Sequence, residues 1–447
     1  MKFKKYLLSM AGISSIALPL AAISCGEPTN DSGYHRREEE YIQPSERVAV
    51  IKKNTSLTMD LATSEKIKAK KLKFALITDT GKVTDKSFNQ SAWEALNTIA
   101  DQTQKSANEQ LFEFVAVEPT GDSYDQSYNA AIDNGANVIV LPGFTHGDHI
   151  KTFIKTNIEK LRAKKVIIIG IDFTLDDVSY ENFYALNFDV SQASWQLGYA
   201  LSKYLSVEYP NNPESRKLAS LGGGAFFGVT DFITGYLKGI KAFNDANSTL
   251  KTKHADTIDL NAGFKPDNTQ TAAVTNMLGT EAKIVYPVAG PATLTTVDQI
   301  TKNEKYKDRL VVGVDVDQSK ALPANKGYFA TSVLKNVAQA TYDIILAKAF
   351  EISEVENKIA HIKQGNTNNF YGGYDAGWVA LADSTIGDTA KREAMNNAIN
   401  EAKEKFVALS AEDKAFVSAP KARKEDTNKN QNEIKTVVDE LITIVNN

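Results

Sequence analysis

In the stretch Asp85-Lys86-Ser87-Phe88-Asn89-Gln90, followed closely by Trp93, a carboxylate, an amide and two aromatic rings fall within a few residues. That set suits a small, flat, polar solute. A carboxylate accepts paired hydrogen bonds, an amide both donates and accepts, and rings offer stacking faces. The apolar run Leu72 to Thr78 ahead of it predicts a buried strand, and Trp93, Leu96 and Ile99 predict a helix over 90–99. Ligands of open α/β sheets bind beyond the carboxyl ends of the strands, so this turn faces the expected crevice. Each residue also has a plainer reading. Asp85 fits a helix cap, Asn89 a helix-start residue, and Trp93 a core residue.

Other motifs point away from chemistry. Gly222-Gly223-Gly224 has no following Gly-Lys-Ser or Gly-Lys-Thr, and Asp231 would repel an anion, so close backbone approach to a ligand is the better reading. His146-Gly147-Asp148-His149 resembles half of a metal site, but the chain has only five histidines and no second cluster to complete it. No nucleophile elbow and no His-Glu-x-x-His motif occurs. Asp85, Asp148 and Asp315 come from separate loops, unlike the clustered carboxylates of a hydrolase. The reading is therefore of a binding protein, neither enzyme nor metalloprotein, and without a cofactor.

The elements that must position these residues alternate. Strands are expected at Lys73 to Thr78, Phe112 to Val117, Asn137 to Leu141, Lys165 to Ile171, Lys217 to Leu221, Ala282 to Pro287 and Leu310 to Val314. Between them lie helical patterns at Gln126 to Asn134, Asp148 to Ala163, Ser191 to Leu205, Asp231 to Asn244 and Thr269 to Leu278. Such alternation predicts an α/β fold of two doubly wound parallel-sheet lobes, with a boundary near Asp189.

The beginning of the chain carries its own signals. A basic start, the apolar run Tyr6 to Ala22 and the junction Ser24-Cys25 describe a secretory signal peptide, residues 1–24. Cys25, the single cysteine, resembles a lipobox cysteine, with Ala22 where Leu is more usual. The competing readings are a buried cysteine and a retained membrane anchor. Residues 25–72 are polar and expected to form a lipid-anchored tether, with Arg47 to Ile51 as a short exception. Formal net charge is −4, and no basic block occurs outside the signal, which argues against a nucleic-acid partner.

The motif DKSFNQSAW from Asp85, then Leu221-Gly222-Gly223, Val288-Ala289-Gly290, Val312-Gly313-Val314-Asp315 and Thr331-Ser332-Val333-Leu334-Lys335, taken in order, resembles the basic membrane protein family of bacterial substrate-binding lipoproteins, which includes purine nucleoside receptors. The resemblance spans roughly Lys73 to Ala382. It implies a type I periplasmic-binding-protein-like fold, delivery of ligand to ABC transporter permease and ATPase subunits, and residence on the extracellular face of the cell membrane. It also implies three hinge crossings, near Asp189, Thr331 and Glu354. The lobes would then be 73–188 plus 334–353 and 189–333 plus 354–415, with a polar segment and amphipathic helix at 416–447. Ser418 to Glu433 is expected to be flexible, and the last helix to dock on a lobe or meet the transporter.

For the site, the resemblance implies ribose contacts from Asp315, Lys335 and Asp85, a base-reading amide at Asn89, a second edge contact at Asp148 and close approach at Gly290. Phe88 or Trp93 would stack on one face of a base and Phe226 or Phe227 on the other, with Phe88 and Phe227 favoured. The ligand would be a nucleoside, first a purine nucleoside. A sugar or other small polar solute, or a role in adhesion to a host, is the alternative.

Overall fold

The computed structural model describes residues 40–54, 61–103, 111–365 and 367–447. The expected signal peptide and Cys25 lie outside these. The first helix, α1 (Leu61–Ala69), leads into β1 (Leu72–Ile77), α2 (Phe88–Thr103), β2 (Phe112–Val117), α3 (Tyr124–Asp133), β3 (Val138–Pro142), α4 (His146–Ala163), β4 (Ile167–Ile171) and β5 (Phe183–Phe188). The inner strands read LKFALI, VIVLP and IIIGI because helices cover both faces of the sheet, leaving no solvent side to demand alternation.

The second lobe repeats the scheme with α5 (Val190–Glu208), β6 (Lys217–Gly222), α6 (Phe227–Ala246), β7 (Lys253–His254), α7 (Asn268–Gly279), β8 (Ile284–Val288), α8 (Gly290–Lys302), β9 (Leu310–Asp315), α9 (Gln318–Ala321) and β10 (Phe329–Lys335). The chain then returns to the first lobe through α10 (Val337–Ile344), which packs on α2, and α11 (Ser353–Ile359), and adds β11 (Asn369–Gly372) beside β5. It crosses once more to β12 (Val379–Leu381), antiparallel to β10, and ends in α12 (Thr389–Val407), α13 (Ala411–Ser418) and α14 (Ile434–Asn446). The sheet orders are β11-β5-β4-β3-β1-β2 and β12-β10-β9-β8-β6-β7.

Three expectations are corrected here. The third crossing falls between Gly372 and Val379 instead of near Glu354, because β11 pairs in parallel with β5 and β12 pairs antiparallel with β10. Residues 40–54 are docked rather than a loose tether: Ile42 and Val48 are buried, and Arg47 pairs with Asp101 on α2 at 2.5 Å. The first residues after Ser418 are also anchored, through Ala419 and Ala422. Val417 and Ala422 are buried, and the Lys238 ammonium donates to the carbonyls of Phe416, Val417 and Ala419 at 2.8, 3.1 and 2.6 Å. Of the two fates open to the last helix, α14 takes the first, burying Val437, Val438, Leu441 and Ile442 against α6.

Helices α5 and α6 touch backbone to backbone at glycines. A Cβ on Gly198 would lie 2.0 Å from the Tyr236 carbonyl oxygen, and one on Gly239 would lie 2.0 Å from that of Trp195. This close seam forms the spine of the second lobe, and α5 begins just after Asp189 at the first crossing.

Candidate functional site

The carboxyl ends of the two sheets meet, as the contacts Lys335–Asp172 and Phe144–Phe226 across the lobes show, and ligands of parallel sheets bind at such ends. From the first lobe come the turn after β1, Asp172 after β4 and Phe88 at the start of α2. From the second come Asp315 ending β9, Lys335 ending β10, and Gly290 opening α8. Lys86, Asp172 and Asp315 adopt positive φ of 52°, 76° and 68°. Left-handed backbone costs free energy for a residue with a side chain, and it persists where the surroundings enforce it, often at sites.

Asp85 orders its own turn. Its Oδ1 accepts from the backbone N–H of Ser87 (2.8 Å) and Gln90 (3.1 Å), and its Oδ2 from the N–H and the amide Nδ2 of Asn89 (3.1 and 2.9 Å). Four local donors fill the carboxylate, so Asp85 acts as the cap in place of the ribose acceptor expected of it. Asn89, 3% exposed, connects this cap to Asp79: its Nδ2 donates to Asp79 Oδ1 and its Oδ1 accepts from the Asp79 N–H, both at 3.3 Å.

Asp79 is a residue that sequence reading missed. It follows the last apolar positions of the β1 run, and its carboxylate lies so close to Gly143, at the end of β3, that a Cβ there would be 2.1 Å from Oδ2. Burial raises its carboxyl above the ordinary range, against the lowering effect of hydrogen bonds from Thr80 and Asn89. A polar residue directly after a buried strand was the available signal.

On the second lobe, Asp315 ends β9, its carboxyl enclosed by protein while the residue as a whole is half-buried. Burial lifts its carboxyl to about 6; Lys335 opposes the rise, while Asp172 and Asp85 add to it. Lys335, 5% exposed, pairs with Asp172 across the lobes. Its ammonium also lies 5.5 Å from the Phe88 ring centre and 5.4 Å from that of Phe188, within cation–π range. Asp172 is the second residue missed, and it too directly follows a buried strand. Gly290 faces the turn of the other lobe, since a Cβ there would meet Ser87 Oγ at 3.4 Å.

The remaining expected residues are placed less centrally. Trp93 is 0% exposed and packs on Phe114, so it belongs to the core. Of the paired phenylalanines, Phe226 is the one whose ring meets the first lobe, 5.7 Å from Phe144, with Phe264 6.0 Å away on its own side. Phe227 is half-buried against the main core. Asp148 is exposed in the first turn of α4, where its charge acts on Lys151. Among the described residues the structure brings together Phe88, Asn89, Gly290, Asp315 and Lys335, and adds Asp79 and Asp172. A separate cavity of about 230 Å³ at the amino ends of β8 and β9 is lined by Lys283, Lys307, Arg309 and Lys391, each already matched by a carboxylate.

Comparison with known proteins agrees with this architecture. The family model described as ABC transporter substrate-binding protein PnrA-like matches residues 72–364, more than half of the chain. A CD4+ T-cell-stimulating antigen of Listeria monocytogenes is 28% identical over 280 residues, covering 60% of this chain and 71% of that protein. The ABC transporter nucleoside-binding protein BmpA of Lactococcus lactis is 25% identical over 260 residues, 57% of this chain and 67% of that protein. A crystal structure of an ABC transporter solute-binding protein from Aeropyrum pernix shares the fold with a TM-score of 0.58 and 18% identity, over 83% of this chain and 98% of that one.

Proposed function

The chain belongs to the PnrA-like family of ABC transporter substrate-binding proteins, and from that premise we propose that its cleft takes a nucleoside, first a purine nucleoside. The observation that carries the reading is the Asp315 carboxyl at the end of β9, close enough to the Lys335 ammonium to feel its charge, with that ammonium 5.5 Å from the Phe88 ring centre. Vicinal ribose hydroxyls can both donate to one carboxylate, while an ammonium donates to their oxygens. A planar base would stack on Phe88, with stacking on the order of 1–3 kcal/mol, and present its edge to Asp79 and the Asn89 turn. The name of the Lactococcus relative supports the same class.

Ligand held by Asp315 from one lobe and by Phe88 from the other makes contacts that exist only when the lobes are closed, which is how such a hinge is driven. The closed receptor would then present its cargo to the membrane subunits of an ABC transporter. We further propose that the protein is held at the extracellular face of the cell membrane by lipid on Cys25, a reading supported by the signal-like residues before it. A sugar is the second reading, because Asp315 and Lys335 would serve any vicinal diol.

The test is native mass spectrometry of protein purified without refolding, followed by long incubation with adenosine, guanosine and inosine. A trapped or added nucleoside recovered unchanged is the expected result. Release of free base would replace the receptor reading by a hydrolase, and capture of sugars alone would favour the second reading.

A further inference from the structure

The amino-terminal arm, residues 40–54, runs along the outside of the first lobe and touches two helices in turn. On α2, the N–H groups of Val48 and Ala49 donate to Glu94 Oε1 and Oε2 at 2.9 and 2.8 Å. Further along, the N–H of Lys52 donates to Gln339 Oε1 at 2.6 Å, and that of Asn54 to the Tyr342 hydroxyl at 3.0 Å, both on α10. Both helices start next to cleft residues. Helix α2 begins at Phe88, and α10 begins two residues after Lys335. A small cavity is lined by Val48 and Val50 of the arm together with Asp315 and Lys335.

The contact with Glu94 continues inward. Glu94 is 0% exposed, and its Oε1 also accepts from Gln90 Nε2 at 2.8 Å. The other end of that amide, Gln90 Oε1, accepts the backbone N–H of Lys86 at 2.9 Å. Lys86 is the left-handed residue of the cleft turn, a conformation that needs outside support. Because an ionised carboxylate only accepts, Glu94 fixes which end of the Gln90 amide faces Lys86. With the arm gone, the buried Glu94 loses two of its three donors. Leaving such a group unsatisfied is costly, and it is relieved by protonation or by turning toward other partners.

We propose that the arm is a positioning element of the ligand site, setting the Asp85–Asn89 turn through Glu94 and Gln90 and holding α10 beside α2. The proposal rests on the assignment of the cleft as the ligand site, but part of its test needs no ligand.

The experiment uses the full chain with Val48→Pro and Ala49→Pro together, which removes both arm donors and leaves every cleft residue in place. Residue-resolved hydrogen exchange and calorimetric titration with adenosine are the readouts. The expected result is faster exchange at Lys86, unchanged protection in β3, and at least a tenfold loss of adenosine affinity. Unchanged protection in β3 separates local release of the turn from general unfolding. If the arm detaches, seen as lost protection at Lys52 and Asn54, while Lys86 exchange stays at the wild-type rate, the proposal is overturned. The same holds if Lys86 exchanges faster with no loss of affinity. A second variant, Gln90→Leu, breaks the relay with the arm docked, and should lose affinity while the Lys52 and Asn54 amides remain protected. Wild-type protein that failed to bind adenosine would count against the nucleoside reading alone, since Lys86 exchange reports on the arm with no ligand present.

Discussion

Lys335 and Asp172 form an ion pair between the lobes, each directly at the carboxyl end of the strand region that bears it. The two charges offset one another inside the cleft, and the pair stands near Asp315, whose own charge it influences in both directions. Removing one partner of such a pair leaves a poorly solvated charge, commonly at a cost of about 3–5 kcal/mol. The cleft therefore has a built-in polar contact that a ligand must join or displace.

Asp315→Ala removes the acceptor for paired hydroxyls and leaves those donors unmatched, a loss of about 1–3 kcal/mol. Adenosine, guanosine and inosine should suffer alike, and free bases not at all. Calorimetric titration decides: equal loss for adenine and adenosine would refute the ribose assignment.

The same carboxyl predicts opposite pH trends for binding and for the empty fold. Acceptance from hydroxyls needs the ionised form, so nucleoside affinity should be full above pH 6 or so and fall by up to about tenfold per unit below it. In the empty protein the carboxyl is raised from 3.8 to about 6, so the native state binds more protons than the unfolded chain over that interval. This contribution to stability is present below the unfolded value and is lost as pH rises through the folded one. Asp315→Asn should flatten both profiles in that window, as thermal unfolding and titration across it would show.

Asn89→Ala detaches the Asp85 cap from Asp79. On the proposed reading a base edge meets this turn, so the penalty should differ between adenosine and guanosine, which present different donors and acceptors. A uniform loss would leave Asn89 a turn-building residue only.

Gly239→Ala should destabilise the second lobe by roughly 1–3 kcal/mol or more, because backbone atoms of α5 cannot move aside as a side chain could. Urea denaturation of the empty protein measures it, and a neutral outcome would mean that α5 and α6 are farther apart than described.

Cys25→Ser should yield a protein that is exported but no longer partitions into detergent. Partitioning unaffected by the change would identify Tyr6 to Ala22 as a retained membrane segment.

The inner strands were legible because burial on both faces writes them as unbroken apolar runs, as in Val138 to Pro142. Strand β11, reading NFYG, has no such signature, and its partner β5 lies far back in the chain, so nothing local marks the third crossing. The arm was misread for a related reason. Ile42 is an isolated apolar residue in a polar stretch, the short run Val48 to Ile51 has no helical or strand period, and what fixes both is backbone donation to α2, from Ile42 to Asn97 and from Val48 and Ala49 to Glu94. At the site, the motif from Asp85 drew attention to the turn, while Asp79 and Asp172 carried no motif of their own and became visible only once the strands ended beside one another.

The placement of β11 has a consequence for how the molecule comes to be folded. Strand β5 has no neighbour on its outer side until Asn369 to Gly372 arrives, after the whole second lobe has been traversed. A nascent chain halted before that point would present an open β edge, the kind of surface that recruits other chains. Neither lobe can be matured first and set aside, because each is finished by a strand from the last part of the polypeptide. The slow, long-range closures typical of such topologies should dominate the refolding rate.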